Sequence, residues 1–597
     1  MRIVKLRIQN FRSIQKAELL LPPNVVLVGD NNSGKSTILE AIDLVLGPER
    51  VKQRPVIDEH DFYEGRYLAT PPDNGEETAP IEIRVEATVI DLNDEQEARF
   101  HEHLEFWDQD TNQILDGPPV ERTNEANVVP ALRVLFVGKY DDEEDDFEGH
   151  TYFASPVPEN GELSEFRTHD KRFCGFLFLR TLRTGSRALS LERGSLLDII
   201  LRLREQRVQM WEDVIAELRN VGVAENEELG LSSTLVEVQA KLRSFIPTEW
   251  ADDPHIRVSD LTRETLRRTL TVFMAAGTED AGYAVPFRRQ GTGTINMLVF
   301  ALLSMIADEK QNVSFAMEEP EIAIPPYTQK RVVHGVRDAS SQVLLTSHSP
   351  YVLEEFSPGE VAVLQRSAGT VTLIPSSLPP AVKMKAYRKE MRTRFCEALL
   401  ARRVLVVEGR TEFDAWPAAA QRLSELSPRE YRSLDSLGIA VVDAETDSQI
   451  VPLVQYFERL GKLVFAVYDD QDDSTITDAV THAFQSPESG FERLLANHTS
   501  LSVIRAYMRD LIANGDWPLQ PADQPTNATS ETDLRNTLMN ALRKFKGSGE
   551  AAELVRRCEA NEIPEFIRNT LKTIYALVTP VLDPPGGEAD PVNGEAQ

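Results

Sequence analysis

Apolar and polar residues alternate in several stretches of the first 140 positions, a pattern that predicts strands. The opening MRIVKLRIQNF alternates from its third residue, and the same period recurs in IEIRVEATVI (81–90) and ALRVLFVG (131–138). A short apolar run at 25–28 is followed by a glycine-containing loop and then by helical spacing over 36–46. The pattern therefore predicts a strand, a loop and a helix in direct succession.

The period changes further along the chain, and the changes predict its organisation. Long amphipathic helices are predicted over 191–245, as in SLLDIILRLREQRVQMWEDVIAELRNV, and strand-like sequence resumes near 256. VLVVEG, from Val404, opens a separate α/β segment after a basic linker. The predicted parts of this α/β chain are an N-terminal lobe (1–190), a helical insertion (191–245), a second lobe (246–375), a basic linker (376–403), an α/β domain with helical elements (404–582) and an acidic tail (583–597).

Composition narrows the class of protein. Of 597 residues, 41% are hydrophobic and 27% charged, as in ordinary globular proteins, and the length predicts several domains. No run approaches the roughly 18 to 20 apolar residues that a membrane helix needs, and the N-terminus lacks the features of a signal peptide. Three distant cysteines, Cys174, Cys396 and Cys558, favour neither a disulfide framework nor a zinc site. We expect a soluble cytoplasmic protein without a membrane partner.

The net charge of −31 does not exclude nucleic acid as a partner, because recognition needs only a local positive strip. Acidic runs at 141–146 and in the tail are interpreted as solvated. Lysine and arginine outnumber acidic residues over 383–403, which could form a track for DNA phosphates. A solvated helix that balances acidic neighbours explains the same residues.

GDNNSGKS, at positions 29–36, matches the phosphate-binding pattern G-x-x-x-x-G-K-[ST] between a predicted strand and a predicted helix. Glycines allow the backbone to form an anion-binding nest, and the helix N-terminus adds partial positive charge. Lys35 is expected to reach the β- and γ-phosphates of ATP, and the Ser36 hydroxyl to bind Mg²⁺. The predicted nucleotide-binding residues of this loop are Gly29, Asn31, Asn32, Gly34, Lys35, Ser36 and Thr37.

Three later motifs complete a predicted ATPase site. SFAMEEPE ends an apolar strand in Glu318, expected to hold magnesium, and Glu319, expected to position or deprotonate the attacking water. VLLTSHSP places His348 after another strand, where it is expected to sense the γ-phosphate. RRQGTGTINML contributes Gly291 and Gly293 as a signature turn that would complete the site of a second subunit.

A second cluster of carboxylates follows residue 400. Three predicted strands end in acidic residues, namely Glu408 and Glu412, Asp443 and Glu445, and Asp469, Asp470 and Asp472. Hard oxygen ligands at neighbouring strand ends suit Mg²⁺ or Mn²⁺ rather than zinc. Simple solubility is the alternative explanation for any one of these strand ends.

The motifs of the first part resemble the ATPase head of the RecF/SMC-like, ABC-type class, from IVKLRIQNFRSI through Walker A to EEPE and TSHSP. Relatives insert coiled coils or dimerisation helices where 191–245 lies, so the resemblance implies a homodimer. The alternative is that these helices only cover the core of the head. No Q-loop glutamine can be assigned.

The second part resembles the Toprim domain, which has a Glu after one strand and Asp-x-Asp after a later one. Asp470-Gln471-Asp472 fits that spacing, although Asp469 lies directly at the strand end, and the sequence does not choose between these registers. The two parts together resemble the OLD (overcoming lysogenization defect) nucleases, specifically class 2 members, which are found near a helicase partner. The resemblance implies Glu488 and Glu492 as second-metal ligands and Lys546 as a stabiliser of charge on the scissile phosphate.

The leading hypothesis is a homodimeric, ATP-hydrolysing DNA endonuclease that uses Mg²⁺ or Mn²⁺ in two-metal hydrolysis, in phage defence or DNA repair. Three alternatives stay open: a regulatory ATPase whose Toprim domain binds nucleic acid without cutting, an RNA-targeting effector, and a structural clamp. A topoisomerase would need a tyrosine domain and a primase a zinc module, and the sequence indicates neither.

Overall fold

The computed structural model describes residues 1–48, 56–68, 81–115, 127–158, 161–179, 195–204, 207–220, 231–243, 262–275, 284–309, 312–322, 324–382, 392–471 and 474–579. The chain divides into two compact units, Met1–Pro375 and Ser376–Gln597. Both contain helices and strands, so the α/β fold class is confirmed.

The first unit is built mainly from strands. They are β1 (Arg2–Phe11), β2 (Ile14–Leu20), β3 (Asn24–Val28), β4 (Ile83–Ile90), β5 (Leu104–Asp108), β6 (Gln113–Leu115), β7 (Val128–Asp141), β8 (Asp146–Phe153), β9 (Phe176–Leu179), β10 (Phe273–Ala275), β11 (Ala284–Pro286), β12 (Ser314–Glu318), β13 (Gln342–Thr346), β14 (Val361–Ser367) and β15 (Thr370–Pro375). Its helices are α1 (Lys35–Leu46), α2 (Asp94–Phe100), α3 (Thr168–Cys174), α4 (Leu196–Leu203), α5 (Arg207–Asn220), α6 (Leu231–Leu242), α7 (Arg263–Thr269), α8 (Thr292–Glu309), α9 (Pro326–Ala339) and α10 (Pro350–Leu353).

Thirteen strands among the described residues form one sheet in the order β6-β5-β7-β4-β1-β2-β15-β14-β3-β13-β12-β9, with β8 on β7. The half that contains β1, β4 and β7 is antiparallel, whereas β14, β3, β13, β12 and β9 are parallel. Val25, Val26 and Val28 of β3 are fully buried, because helices cover both faces of a parallel sheet. Each such side chain stabilises the fold by roughly 1.5–3 kcal/mol.

Helices α4, α5 and α6 lie within 191–245, the range predicted as a helical insertion, whereas α7 and α8 lie in the range predicted as the second lobe. Helix α4 packs against α8, while Trp211, Ile215 and Leu266 of α5 and α7 form a small core of their own. Val236 and Val238 of α6 are exposed. A role of this segment in dimerisation stays a prediction.

The second unit contains a smaller sheet surrounded by helices. Its elements are α11 (Arg392–Leu400), β16 (Arg403–Val407), α12 (Arg410–Leu426), β17 (Ile439–Asp443), α13 (Ile450–Arg459), β18 (Leu463–Tyr468), α14 (Thr475–Ala479), β19 (Ala483–Gln485), α15 (Phe491–His498), α16 (Leu501–Asn514), α17 (Glu531–Lys544), α18 (Glu550–Arg556) and α19 (Glu565–Val578). The four strands are parallel, in the order β17-β16-β18-β19.

The core of the second unit lies between this sheet and α12. Trp416 and Leu423 of α12 pack with Phe465 of β18, and all three are fully buried. The central position of β16 places its carboxyl end beside those of β17 and β18, which is where parallel α/β sheets bind ligands. The predicted phosphate track covers 383–403, and its first part, 383–391, falls outside the described residues, as does the acidic tail.

Among the described helices, none combines the length and apolar character that a membrane crossing requires.

Candidate nucleotide and metal sites

Three parallel strands bring the motifs of the first unit to one sheet edge. Leu27 of β3 pairs with Thr346 of β13, and Thr346 pairs with Glu318 of β12. The loop after β3, the acidic pair after β12 and His348 after β13 therefore follow strand ends at the same level. The loop is more than 280 residues away in the sequence from the acidic pair and from His348, so only the sheet explains its proximity to them.

Two glycines of the loop after β3 are required by its shape. Gly34 has φ 100 and Gly29 has φ 154, both in the region that other residues rarely adopt. A Cβ on Gly29 would lie 2.9 Å from Ser33 Oγ and 3.0 Å from the Leu364 carbonyl oxygen. Asn32 also has positive φ, at 68, and together these residues turn the backbone into a tight loop before α1.

Lys35 is held inside this loop. Its side chain is 8% exposed, and Nζ donates hydrogen bonds to the carbonyl oxygens of Gly29 at 2.7 Å and Asp30 at 2.9 Å. Burial lowers the pKa of Lys35, while the charges of Asp30 and Glu319 oppose this effect. The ammonium group is thus fixed at the loop in which a nucleotide phosphate would lie.

The other predicted loop residues differ in exposure. Asn31, Asn32 and Ser36 are exposed, so their side chains can meet a nucleotide or its metal ion. Thr37 is buried, and its hydroxyl lies 3.0 Å from the Ser13 hydroxyl in the turn between β1 and β2. Thr37 therefore connects α1 to that turn.

The acidic pair after β12 has two distinct environments. Glu318 is buried at the strand end, whereas Glu319 is half-buried and has φ 45, a strained conformation for a non-glycine residue. The Glu319 N–H donates to the Thr346 carbonyl oxygen at 2.9 Å. Its carboxylate acts electrostatically on both Lys35 and His348, which places it on the phosphate-loop side of the edge.

His348 is positioned by a carboxylate that the sequence reading had not selected. Glu321 Oε1 accepts the backbone N–H of His348 at 2.7 Å, and burial raises the pKa of Glu321. Burial also lowers the pKa of His348, and the charge of Lys35 lowers it further. The imidazole is therefore held neutral at pH 7 and can exchange hydrogen bonds with a phosphate. The sequence contained one signal for this role of Glu321, because Glu321 is the third acidic residue of the EEPE motif.

Gly291 and Gly293 lie at the start of α8. A Cβ added to Gly291 would meet nothing within 4 Å, so the turn is open on that side. Their expected contact with the nucleotide of a second subunit stays a prediction.

The second unit gathers carboxylates at the carboxyl ends of three neighbouring strands, β17, β16 and β18. Val407 of β16 pairs with Asp443 of β17 and with Val467 of β18. The backbone N–H of Asp469 donates to Glu408 Oε2 at 2.9 Å. Two residues 61 positions apart are thus joined directly at this edge.

Glu412 and Asp469 are strongly affected by this arrangement. Glu412, in the first turn of α12, is 6% exposed, and burial with the charges of Asp469, Glu492 and Glu408 raises its pKa to about 8. Burial and the charges of Glu408 and Glu492 raise the pKa of Asp469 to about 7, while Lys546 opposes them. Four carboxylates and one cation therefore share one site.

Two family models match the chain in these same two regions. A model described as an AAA ATPase domain matches residues 1–128, and one described as an Overcoming lysogenization defect protein-like TOPRIM domain matches residues 399–470. The chain pairs an AAA ATPase domain with an OLD-like Toprim domain. The resemblance expected from the motifs is confirmed at this level, and the class 2 assignment stays a prediction.

Similar proteins extend over both domains. The Old nuclease of Escherichia phage P2 is 23% identical over 487 residues, which cover 77% of this chain and 75% of that protein. The OLD nuclease of Thermus scotoductus is 23% identical over 498 residues, which cover 78% of this chain and 81% of that protein. Alignments of this length include residues of both compact units, because neither unit alone is that long.

Solved structures show weaker likeness. The SMC head domain from Thermotoga maritima covers 63% of this chain and 100% of that chain at 14% identity, with a TM-score of 0.28. The C-terminal region of the Burkholderia pseudomallei OLD protein covers 30% of this chain and 99% of that chain at 20% identity, with a TM-score of 0.22. At these TM-scores neither likeness enters the assignment.

Other predicted residues of the Toprim domain are divided between the site and its surroundings. Glu492 belongs to the site, and its Oε1 accepts the Thr411 hydroxyl at 2.7 Å. Asp470 Oδ1 instead accepts from the Gln485 amide at 3.2 Å. Glu488 precedes α15, and its Oε1 lies 2.9 Å from Asn497 Nδ2 and 3.1 Å from His498 Nε2. Asp472 lies outside the described residues.

Asp443, which was predicted as a strand-end carboxylate, and Arg410, which was not predicted, also belong to the surroundings of these carboxylates. Asp443, at the end of β17, is buried and accepts the Glu445 N–H at 2.7 Å. Burial raises its pKa, and the charges of Arg410 and Lys546 oppose that increase. Asp443 was noticed as a carboxylate at a strand end, whereas Arg410 was overlooked as a lone basic residue among acidic ones.

The donor set of the Toprim site fits hard divalent cations. Carboxylate oxygens are the preferred ligands of Mg²⁺. A bound cation would offset the burial and the repulsion that together raise the pKa of Glu412 and Asp469. Within the described ranges, no three Asp, Glu, His or Cys side chains already converge at ligand distance. The fit therefore rests on donor chemistry and shared location.

Proposed function

We propose that the chain is an ATP-binding, divalent-metal-dependent DNA endonuclease that works as a homodimer. The observation that carries this proposal is the hydrogen bond of 2.9 Å from the Asp469 N–H to Glu408 Oε2. This hydrogen bond joins the ends of β16 and β18. It supports a single site formed by carboxylates that are far apart in the sequence.

The chemistry follows from the charges around that contact. Divalent ions held about 4 Å apart by carboxylates supply an activated water and stabilise the leaving oxygen of a phosphodiester. Glu408, Glu412, Asp469 and Glu492 would hold such ions. Lys546, whose charge acts on Asp469, would stabilise negative charge on the phosphate that is cut.

The ATPase domain supplies the nucleotide part of the proposal. Lys35 and the backbone of the loop after β3 would hold the phosphates, and Ser36 with Glu318 would hold Mg²⁺. The strained Glu319 would orient the attacking water, and His348 would contact the γ-phosphate. Gly291 and Gly293 would complete the same site in a second copy of the chain.

The two similar proteins named as nucleases support cleavage as the activity. DNA as the substrate, a role in phage defence or DNA repair, a helicase partner and a cytoplasmic location are extensions from the OLD resemblance. They belong to the same proposal.

The test is nicking of a supercoiled plasmid by the full chain with Mg²⁺ or Mn²⁺. Wild type should nick or linearise the plasmid, and EDTA should stop it. Glu408→Ala should reduce the rate at least a hundredfold, because loss of a group that only supports a metal ligand already costs about tenfold to a hundredfold. Glu430→Ala is the matched control, because Glu430 lies in the same unit and only forms an exposed ion pair with Lys572. Equal nicking by wild type and Glu408→Ala would contradict the proposal.

One observation favours the second candidate, an ATPase whose Toprim domain binds nucleic acid without cutting. The described carboxylates do not yet converge on a common point at ligand distance. If the Toprim domain only binds nucleic acid, wild type would bind plasmid in a gel-shift assay but would not cut it with any divalent metal ion. Plasmid bound and uncut would decide for this candidate.

A further inference from the structure

We propose that Arg410 and Lys546 together grip the phosphate backbone of the strand to be cut, with Arg410 as a residue that positions the substrate. This inference rests on the proposed function, because it assigns a substrate-holding role within the same site. The residues that carry it are Arg410, Lys546, Gly547 and Asp443.

The fold brings Arg410 to Lys546 through a glycine. Arg410 begins α12, two residues after Glu408. A Cβ placed on Gly547 would lie 2.8 Å from Arg410 Cγ and 3.5 Å from Arg410 Nε. Gly547 also has φ 80, which disfavours any other residue. The arginine side chain therefore crosses the backbone directly beside Lys546, in space that only glycine leaves.

Both cations lie close enough to the strand ends for their charges to act on the carboxylates there. The positive charges of Arg410 and Lys546 each act on Asp443 at the end of β17, and that of Lys546 also acts on Asp469. Cations on two different segments, the start of α12 and the loop after α17, thus meet at one group of strand ends.

The guanidinium of Arg410 has hydrogen-bond donors available for a ligand. Its Nε is buried and has no hydrogen-bond partner among the described residues, and no ion pair within that part of the chain includes Arg410. A planar guanidinium presents parallel N–H groups that match two oxygens of a phosphate. A buried donor without a partner costs free energy, which a phosphate ligand would recover.

A site with this many carboxylates needs nearby positive charge in order to bind DNA. Glu408, Glu412, Asp469 and Glu492 repel a polyanion, and metal ions offset that repulsion only at the phosphate that is cut. Arg410 and Lys546 are the cations whose charge reaches Asp443 on the same edge. Lys546 is placed to meet the phosphate that is cut, and Arg410 to hold a phosphate beside it, while the carboxylates hold metal.

The experiment measures single-turnover nicking of plasmid over a series of enzyme concentrations, which separates the half-saturating concentration from the limiting rate. Arg410→Ala should raise the half-saturating concentration about tenfold to a hundredfold, as loss of a charged hydrogen bond predicts, and change the limiting rate less. Arg410→Lys should restore only part of this loss, because lysine keeps the charge but not the fork. The concentration of Mn²⁺ that half-activates nicking should stay unchanged in both.

Gly547→Ala is the second variant and tests the contact itself. Its Cβ should displace Arg410 and weaken DNA binding severalfold, and that effect should vanish when Arg410 is already alanine. Arg429→Ala is the control for lost positive charge. Arg429 is exposed and follows the far end of α12, a helix about 25 Å long.

Binding is also measured without cutting, by fluorescence anisotropy of a labelled DNA duplex in Ca²⁺ with Glu408→Ala as the background. If wild type fails to nick any plasmid, the proposed cleavage fails, yet the Arg410 variants still show whether this grip exists. An unchanged DNA affinity in Arg410→Ala overturns the inference. The inference also fails if Gly547→Ala weakens DNA binding as much in the Arg410→Ala background as it does when Arg410 is present.

Discussion

At the scale of single residues, Glu412 shows what the Toprim site costs the fold. Its carboxyl group is 6% exposed and lies among three other carboxylates, which together with burial raise its pKa from 4.5 to about 8. The folded state thus disfavours the ionised form. Stability is fully present below the ordinary pKa and is lost as pH rises towards about 8.

Glu412→Gln should therefore stabilise the protein in the absence of divalent ions. We expect a gain of about 2 kcal/mol at about pH 8.5, and almost none at about pH 5, where the wild-type carboxyl is already protonated. The measurement is the midpoint of thermal unfolding in EDTA at both pH values. A variant no more stable than wild type at the higher pH would show that Glu412 is not held under repulsion.

Arg410 and Asp469 show where reading residues one by one succeeds and fails. Asp469 was placed at the end of β18, but the sequence could not choose between it and Asp470. The choice depends on backbone direction, because the Asp469 N–H meets Glu408 whereas the Asp470 N–H donates to the Glu488 carbonyl oxygen. Arg410 was missed because its closeness to Lys546 depends on the absent side chain of Gly547.

At the scale of elements, the strand, loop and helix around Lys35 were predictable because their signals are local. The apolar run at 25–28, the motif at 29–36 and the helical spacing over 36–46 lie side by side in the sequence, and β3 and α1 follow them within a residue. The sequence does not predict that β13, rather than β2, lies beside β3, because packing between distant segments decides the order of the strands.

Gly34→Ala tests the loop as an element. A Cβ at Gly34 has room, since its nearest neighbours in Ile14 and Ser13 are 3.6 Å away, but φ 100 strains any other residue by about 1–2 kcal/mol. We expect a small decrease in the thermal midpoint and at least a tenfold loss of ATP affinity by calorimetry, because relief of that strain reshapes the phosphate nest. Retained ATP affinity would mean that the nest does not hold the phosphates.

Glu488 shows how the start of a helix separates two carboxylates of one segment. The resemblance implied Glu488 and Glu492 together as metal ligands, but α15 begins at Phe491. Glu488 therefore lies in the preceding loop and contacts Asn497 and His498, whereas Glu492 points back to Thr411. The sequence identified the segment, and the helix start decided which of its carboxylates joins the site.

At the scale of the whole molecule, two α/β units use the same device for different ligands. Each places its chemistry at the carboxyl ends of adjacent parallel strands, with a glycine-containing loop and cations in the ATPase domain and mainly carboxylates in the Toprim domain. The net charge of −31 makes local cations at the second site necessary for any nucleic acid substrate. Those assigned here are Arg410 and Lys546.

Binding of Mn²⁺ to the full, nucleotide-free chain, followed by electron paramagnetic resonance of the free ion, tests the central claim most directly. Without nucleotide, the Toprim carboxylates are the expected tight binders, so wild type and Glu430→Ala should take up Mn²⁺ equally. Glu408→Ala should lose at least one tight site, with affinity falling by about tenfold to a hundredfold. If Glu408→Ala binds Mn²⁺ with the number of sites and affinity of wild type, the carboxylates beyond residue 400 do not form a metal site.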